Sequence, residues 1–124
     1  MKQNKKYWLG TFLWMIIIFY FSHQPNLRSS FSDFWDLILR KIVHMGEFGI
    51  LNVFLIKSLA NFKISLEKRI FLAVLFSFLY ACSDEYHQSF IEGRVGSFRD
   101  ILIDSGGILL VAFYYWKRYE DLPY

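Results

Sequence analysis

Residues 7–21 read YWLGTFLWMIIIFYF, a run without a single charge, preceded by Lys5-Lys6 and followed by Ser22-His23-Gln24-Pro25. The apolar residues do not alternate with polar ones, as on a half-buried strand. Nor do they leave a polar stripe at helical spacing, as on a surface helix. They fill a block, with the charges swept to its ends. In lipid such a block must satisfy its own backbone hydrogen bonds, so a helix is the expected form. Tyr7 and Trp8 at one end, and Tyr20 and Phe21 at the other, suit the two membrane–water boundaries. Lysines before an apolar run also open a secretory signal. No small-x-small cleavage site follows, however, so the block is expected to persist as a first helix.

Three further blocks follow the same plan. Pro25, Asn26, Ser29, Ser30 and Ser32 mark a loop. Ser32 is placed to cap a helix over residues 33–58 whose first turn carries Asp33 and Asp36. The first two turns of that helix, with Phe34 and Trp35, are expected to lie at the interface. A polar link from Asn61 to Arg69 leads to a third helix over 70–87. Gly93-Arg94-Val95-Gly96 turns the chain, and Ser97 can cap a fourth helix over 98–116, which ends at Lys117-Arg118. The expected fold class is therefore all-α: an integral membrane four-helix bundle forming a single unit, with an interfacial extension at the start of helix two.

Composition agrees with this reading. The chain has 124 residues, 55% of them hydrophobic and 21% aromatic, too apolar in its blocks for one small soluble domain. A net charge of +3 could suggest a nucleic-acid binder, but the basic residues form no stripe of interleaved polar surface. They cluster between apolar blocks. Placing both termini and the second loop in the cytoplasm puts nine basic residues there: Lys2, Lys5, Lys6, Lys57, Lys63, Lys68, Arg69, Lys117 and Arg118. Five remain outside, namely Arg28, Arg40, Lys41, Arg94 and Arg99. Short loops obey the positive-inside bias, so N-in, C-in is the expected orientation. Cys82 has no partner for an intrachain disulfide and is expected as a buried, inert thiol.

The strictly apolar stretches are short. From Ile70 to Ser83 the third block spans roughly 21 Å, against a hydrocarbon core of roughly 30 Å. Helix two meets the same shortfall unless His44 and Glu47 lie below the outer surface, and helix four unless Asp104 does. Ionisable groups at that depth must face the bundle interior or a wet cleft. Spacing favours convergence. His44 and Glu47 are three apart on one face, Asp84 shares a face with His87 and Gln88, and Asp100 and Asp104 are one turn apart with Gly107 continuing their face. His44, Glu47, Asp84, Glu85, His87 and Asp104 are thus the candidate reactive or polar-site residues. Lys41, Gln88, Arg94, Ser97 and Asp100 are candidates for holding a ligand, and Arg94 suits a phosphate or carboxylate.

Each residue also has a plainer reading. His44 could be an interfacial residue bonded to a backbone carbonyl. Glu47 could pair with Arg40, Lys41 or Arg94 as structural glue, and Asp84 and Glu85 could merely end helix three at the water boundary. Asp104 is hardest to dismiss, because it sits between Ile101-Leu102-Ile103 and Ile108-Leu109.

At these residues the chain resembles the VanZ-like family of membrane proteins. The stretch Ser83-Asp84-Glu85-Tyr86-His87-Gln88-Ser89-Phe90-Ile91-Glu92-Gly93-Arg94, then Asp100, then Asp104-Ser105-Gly106-Gly107, is similar to the family's acid, His-Gln, Gly-Arg and spaced-acid pattern. Lys41, His44 and Glu47-Phe48 look like its Lys-x-x-His segment, and Phe21-Ser22-His23-Gln24-Pro25 like the end of its first helix. Glu92 stands where the family pattern has Pro. The resemblance implies a multi-pass plasma-membrane protein of a Gram-positive bacterium and an association with low-level resistance to the lipoglycopeptide teicoplanin. It supplies no biochemical reaction.

Three functions stay open. The charged cleft could bind or modify an anionic envelope component, an envelope glycolipid or a lipoglycopeptide beside membrane lipid, without nucleic acid. It could belong to a hydrolase or transferase acting on a lipid-linked substrate, with a divalent cation as cofactor. No His-Glu-x-x-His or comparable metal signature supports that cation. Or the charges could simply clamp short helices together. Four helices enclose little volume, so a homodimer could complete the cleft in any of the three.

Overall fold

The computed structural model describes residues 2–23, 33–91 and 96–120. They form four α-helices, with no strand among the described residues: α1 Lys2–His23, α2 Asp33–Ser58, α3 Leu66–Gln88 and α4 Phe98–Glu120. A single 3-10 turn, Leu59–Asn61, follows α2. The all-α class is as expected. Ser32, Arg94 and the rest of the turn from Glu92 to Val95 lie outside the described residues.

The helices run further than the apolar blocks. α3 starts at Leu66 rather than near Ile70, because Ser65 caps it and accepts a hydrogen bond from the Lys68 amide at 3.3 Å. Glu67, Lys68 and Arg69 then form its first turn, and such straight-chain residues are good helix formers despite their charge. With 23 residues, α3 is about 34 Å long, so the helix is longer than its apolar stretch. Ser65→Ala should cost about 1 kcal/mol. It should show as faster hydrogen exchange at the Lys68 amide, and unchanged exchange there would contradict the cap.

Hydrogen bonds between helices set the topology. Thr11 of α1 meets Ser58 of α2 while Trp14 reaches Glu47, so this pair is antiparallel. α1 and α3 are parallel, with Tyr80 bonded to Met15 and Gln88 to Ser22. α2 and α4 are also parallel, with Lys41 opposite Asp100 and Asn52 opposite Ile108. The chain therefore runs up, down, up, down, with α2 touching all three other helices and α1 and α4 at far corners. Since Lys41 lies opposite Asp100 near the start of α4, the first turn and a half of α2 extends past the start of α4, with Asp36 buried. That segment also carries the exposed Phe34, Trp35 and Leu37.

α2 and α4 cross closely where both lack side chains. A Cβ on Gly107 would run into the backbone of Met45, and one on Gly49 would lie 3.3 Å from the Gly107 carbonyl oxygen. Small residues at a crossing let backbones approach closely.

The interior is mixed. Ile18, Phe48, Leu51, Ile56, Ala73, Ala81 and Ile108 are buried, but so are Thr11, Ser22, Asn52, Ser58, Ser77, Asp84, Glu85, Gln88 and Asp104. Polar groups bridge helices at three levels. Thr11 Oγ1 lies 3.1 Å from Ser58 Oγ at one end. Midway, Asn52 donates to the Ile108 carbonyl at 3.0 Å and accepts from Ser77 at 3.4 Å. At the other end Gln88 donates to Ser22 and to Asp84.

The outside is apolar on every helix. Phe12 and Ile16 on α1, Ile42 and Val43 on α2, Phe71 and Leu79 on α3, and Leu110 and Phe113 on α4 are all exposed. The stretch Asp33–Asn61 is long and apolar enough to cross a bilayer. A groove of about 380 Å³ opens between α1 and α3, walled by Trp8, Phe12, Met15, Phe76, Leu79 and Tyr80. Cys82, expected to be buried, is only half-buried.

Candidate functional site

The ionisable groups gather where α1 and α3 end and α2 and α4 begin. Asp104 is their centre. It is 2% exposed, on the face of α4 turned to α2, three residues before the Gly107 crossing that draws the two helices together. Its Oδ1 has no hydrogen-bond partner among the described residues. His44 Nδ1 approaches that oxygen at 3.8 Å and Glu47 Oε2 at 3.6 Å. One imidazole, three residues from Glu47 on α2, thus stands between carboxyls of two helices. The carboxyls of Glu85, Asp84 and Glu47 all act on Asp104 electrostatically, as does the Lys41 ammonium.

Supporting contacts hold these groups in place. Trp14 of α1 donates to the Glu47 carbonyl at 2.8 Å, pinning the backbone from which that side chain springs. Gln88, one turn beyond Asp84, donates to Asp84 Oδ2 at 3.1 Å and orients it. Glu85 Oε2 accepts from the Ser97 amide at 3.3 Å, tying the end of α3 to the start of α4. The Ser97 hydroxyl caps α4 by accepting from the Asp100 amide at 3.2 Å, so both groups of Ser97 are engaged in structure. Lys41 forms an ion pair with Asp100 across the α2–α4 seam. Arg40 is paired within α2 to Asp36 at 2.6 Å, not to Glu47.

His87 is placed differently from the other candidates. Its ring stacks on Phe19 and meets His23 of α1, while His44 carries the imidazole contact to Glu47 and Asp104. Arg94 lies outside the described residues. Among the described residues Lys41 meets Asp100, and His44 meets Glu47 and Asp104, while Asp84 and Glu85 add two more buried carboxyls to the same end of the bundle. No group of three or more His, Cys, Asp or Glu side chains among them is arranged to hold a metal ion.

Sequence spacing missed Trp14, Ser22, Asn52 and His23. Asn52 could have been found as a lone amide in the apolar run Leu51–Leu55. The others become visible only through the register of α1 against its neighbours.

A family model described as VanZ/LLP1 matches residues 7–119 of the chain. The chain belongs to the VanZ/LLP1 family. The match runs through all four helices and takes in Lys41, His44, Glu47, Asp84, Glu85, His87, Gln88, Arg94, Ser97, Asp100 and Asp104. The acidic centre of this VanZ/LLP1 chain thus lies wholly within the matched region. No curated protein and no solved structure matches the chain.

Proposed function

We propose that this VanZ-like chain spans the plasma membrane four times with both termini in the cytoplasm, and that its acidic cluster binds an envelope component at the outer face. One observation carries the reading: the chain is built with carboxyls inside and phenylalanine, leucine and isoleucine outside. Buried acids facing away from lipid are costly and mark sites of function. The apolar outer faces of α1 to α4, the hydropathy of Asp33–Asn61, and the family support the membrane setting. The excess of lysine and arginine at the opposite end supports the orientation.

The chemistry of the cluster narrows the ligand. Five carboxyls offer acceptors for amine, amide and hydroxyl donors, which a lipoglycopeptide of the teicoplanin type or a lipid-linked glycan presents together. An anionic group on the same molecule would fall to Lys41, already engaged by Asp100, and to Arg94. The groove between α1 and α3 reaches Ser83, next to Asp84, and suits an alkyl tail. Teicoplanin resistance is the cellular outcome this binding would produce.

Glu47→Gln tests the proposal, since it keeps shape and removes charge. In purified protein reconstituted into lipid discs, the unaltered chain should bind a fluorescent lipoglycopeptide saturably. The variant should bind at least tenfold more weakly while melting at the same temperature. Equal binding by both, or none by either, would overturn the proposal. The pair His44 and Glu47 could also serve as acid and base, and conversion of the ligand during the titration would move the assignment to an enzyme.

A further inference from the structure

His23 ends α1, and His87 lies one residue before the end of α3. Nδ1 of His23 and Nε2 of His87 are 3.2 Å apart. The ring centres are 5.4 Å apart and the planes 19° from parallel. The centre-to-centre distance exceeds the nitrogen distance by about two ring radii, so the two nitrogens lie near the line joining the rings and their lone-pair directions face each other. Phe19, one turn before His23, stacks on both imidazoles and backs them from one side. His23 is exposed and His87 half-buried, so the pair is open at the end of the bundle. No other hydrogen bond among the described residues reaches either ring.

Two neutral imidazoles in this arrangement share one N–H, which one ring donates and the other accepts. The same separation has a second use. Imidazole nitrogen is a ligand for copper, nickel and zinc. A zinc–nitrogen bond of about 2.05 Å and a tetrahedral angle put two ligating nitrogens roughly 3.3 Å apart. The pair is therefore already spaced for a metal, and only a tilt of the rings is needed to aim both lone pairs at it.

We propose that His23 and His87 form a two-imidazole site for a divalent transition metal, Cu²⁺ or Zn²⁺, bridging the ends of α1 and α3. On binding, the bridging proton exchanges through water to the far nitrogen of the ring that donated it. Both rings then coordinate as neutral imidazoles, and water completes the shell. With two protein ligands the metal is exchangeable, not a folding element. The site uses α1, which contributes no carboxyl to the acidic cluster, and stands independently of the ligand assigned to that cluster.

Cu²⁺ titration of the full chain, purified without a histidine tag and followed by electron paramagnetic resonance, tests it. The unaltered chain should take one Cu²⁺ with hyperfine structure from two nitrogens. His23→Gln and His87→Gln should each lose one nitrogen and weaken binding at least tenfold, while His44→Gln leaves the spectrum unchanged. Zn²⁺ should compete with the copper only in large excess, since imidazole sites hold Cu²⁺ more tightly. A readout on the unaltered chain is free of any folding defect: bound Zn²⁺ should slow diethyl pyrocarbonate modification of His23 and His87, mapped by mass spectrometry. A spectrum unchanged in His23→Gln, or protection of neither histidine, would overturn the proposal.

Discussion

Gly107→Ala is expected to disrupt the bundle, whereas Gly46→Ala, on the partner helix, leaves it intact. A methyl group on Gly107 would collide with the Met45 carbonyl group and Cα. These are backbone atoms and cannot rotate aside, so α2 and α4 must separate. Their separation would undo the Asn52–Ile108 bond and the Lys41–Asp100 pair along the same seam. Overpacking typically costs up to about 3 kcal/mol, and a backbone collision belongs at that end. In a chain of this size the loss corresponds to a fall in Tm of roughly 10 °C. A Cβ on Gly46 meets nothing within 4 Å, so Ala there should be neutral or gain up to about 1 kcal/mol of helix propensity. Thermal unfolding of both variants in detergent checks the contrast. Equal melting temperatures would mean that α2 and α4 do not cross at Gly107.

The second large effect separates a binding site from a clamp. Asp104→Leu removes a carboxyl that is 2% exposed and is repelled by Glu85, Asp84 and Glu47. If the acids exist to meet a ligand, the apolar replacement relieves that repulsion. Melting should then hold or rise, since replacing buried charge by packed hydrocarbon is commonly neutral or stabilising by about 1–4 kcal/mol. Ligand binding should meanwhile fall at least tenfold. A network that instead holds the helices together would lose about 3–5 kcal/mol when one member is removed. Asp104→Leu would then melt early. Melting and binding recorded on the same preparation give opposite signs for the two cases.

The helices were legible because each apolar block is bounded by charge, proline or small polar residues. Their ends were less so. Counting apolar positions started the third helix near Ile70, while Ser65 and the helix-forming Glu67, Lys68 and Arg69 begin it at Leu66. Within one helix, spacing carries real information: Asp84 and Gln88 share a face and are hydrogen-bonded, and His44 stands beside Glu47. Contacts between helices follow from register, which period alone does not supply. Nothing in the spacing of Lys41 and Asp100, 59 positions apart, distinguishes them as partners from Arg40 and Glu47. The same holds for His23 and His87, whose meeting depends on α1 and α3 being parallel neighbours. The lone amide of Asn52 was readable in principle, since a polar side chain in an apolar helix needs a partner.

The division of the acidic cluster among α2, α3 and α4 has a consequence for biosynthesis. Translation delivers His44 and Glu47 first, Asp84 and Glu85 next, and Asp100 and Asp104 last. Until Ser97 and α4 emerge, the Gly49 face of α2 has no mate and the Ser97 amide that engages Glu85 has not been made. A nascent chain stopped before Ser97 therefore carries His44, Glu47, Asp84 and Glu85 without Asp100 and Asp104, and no fourth helix packs against them. The acidic cluster is therefore assembled last in synthesis, because its two α4 carboxyls and the Gly107 crossing that brings them to α2 come from the final helix described.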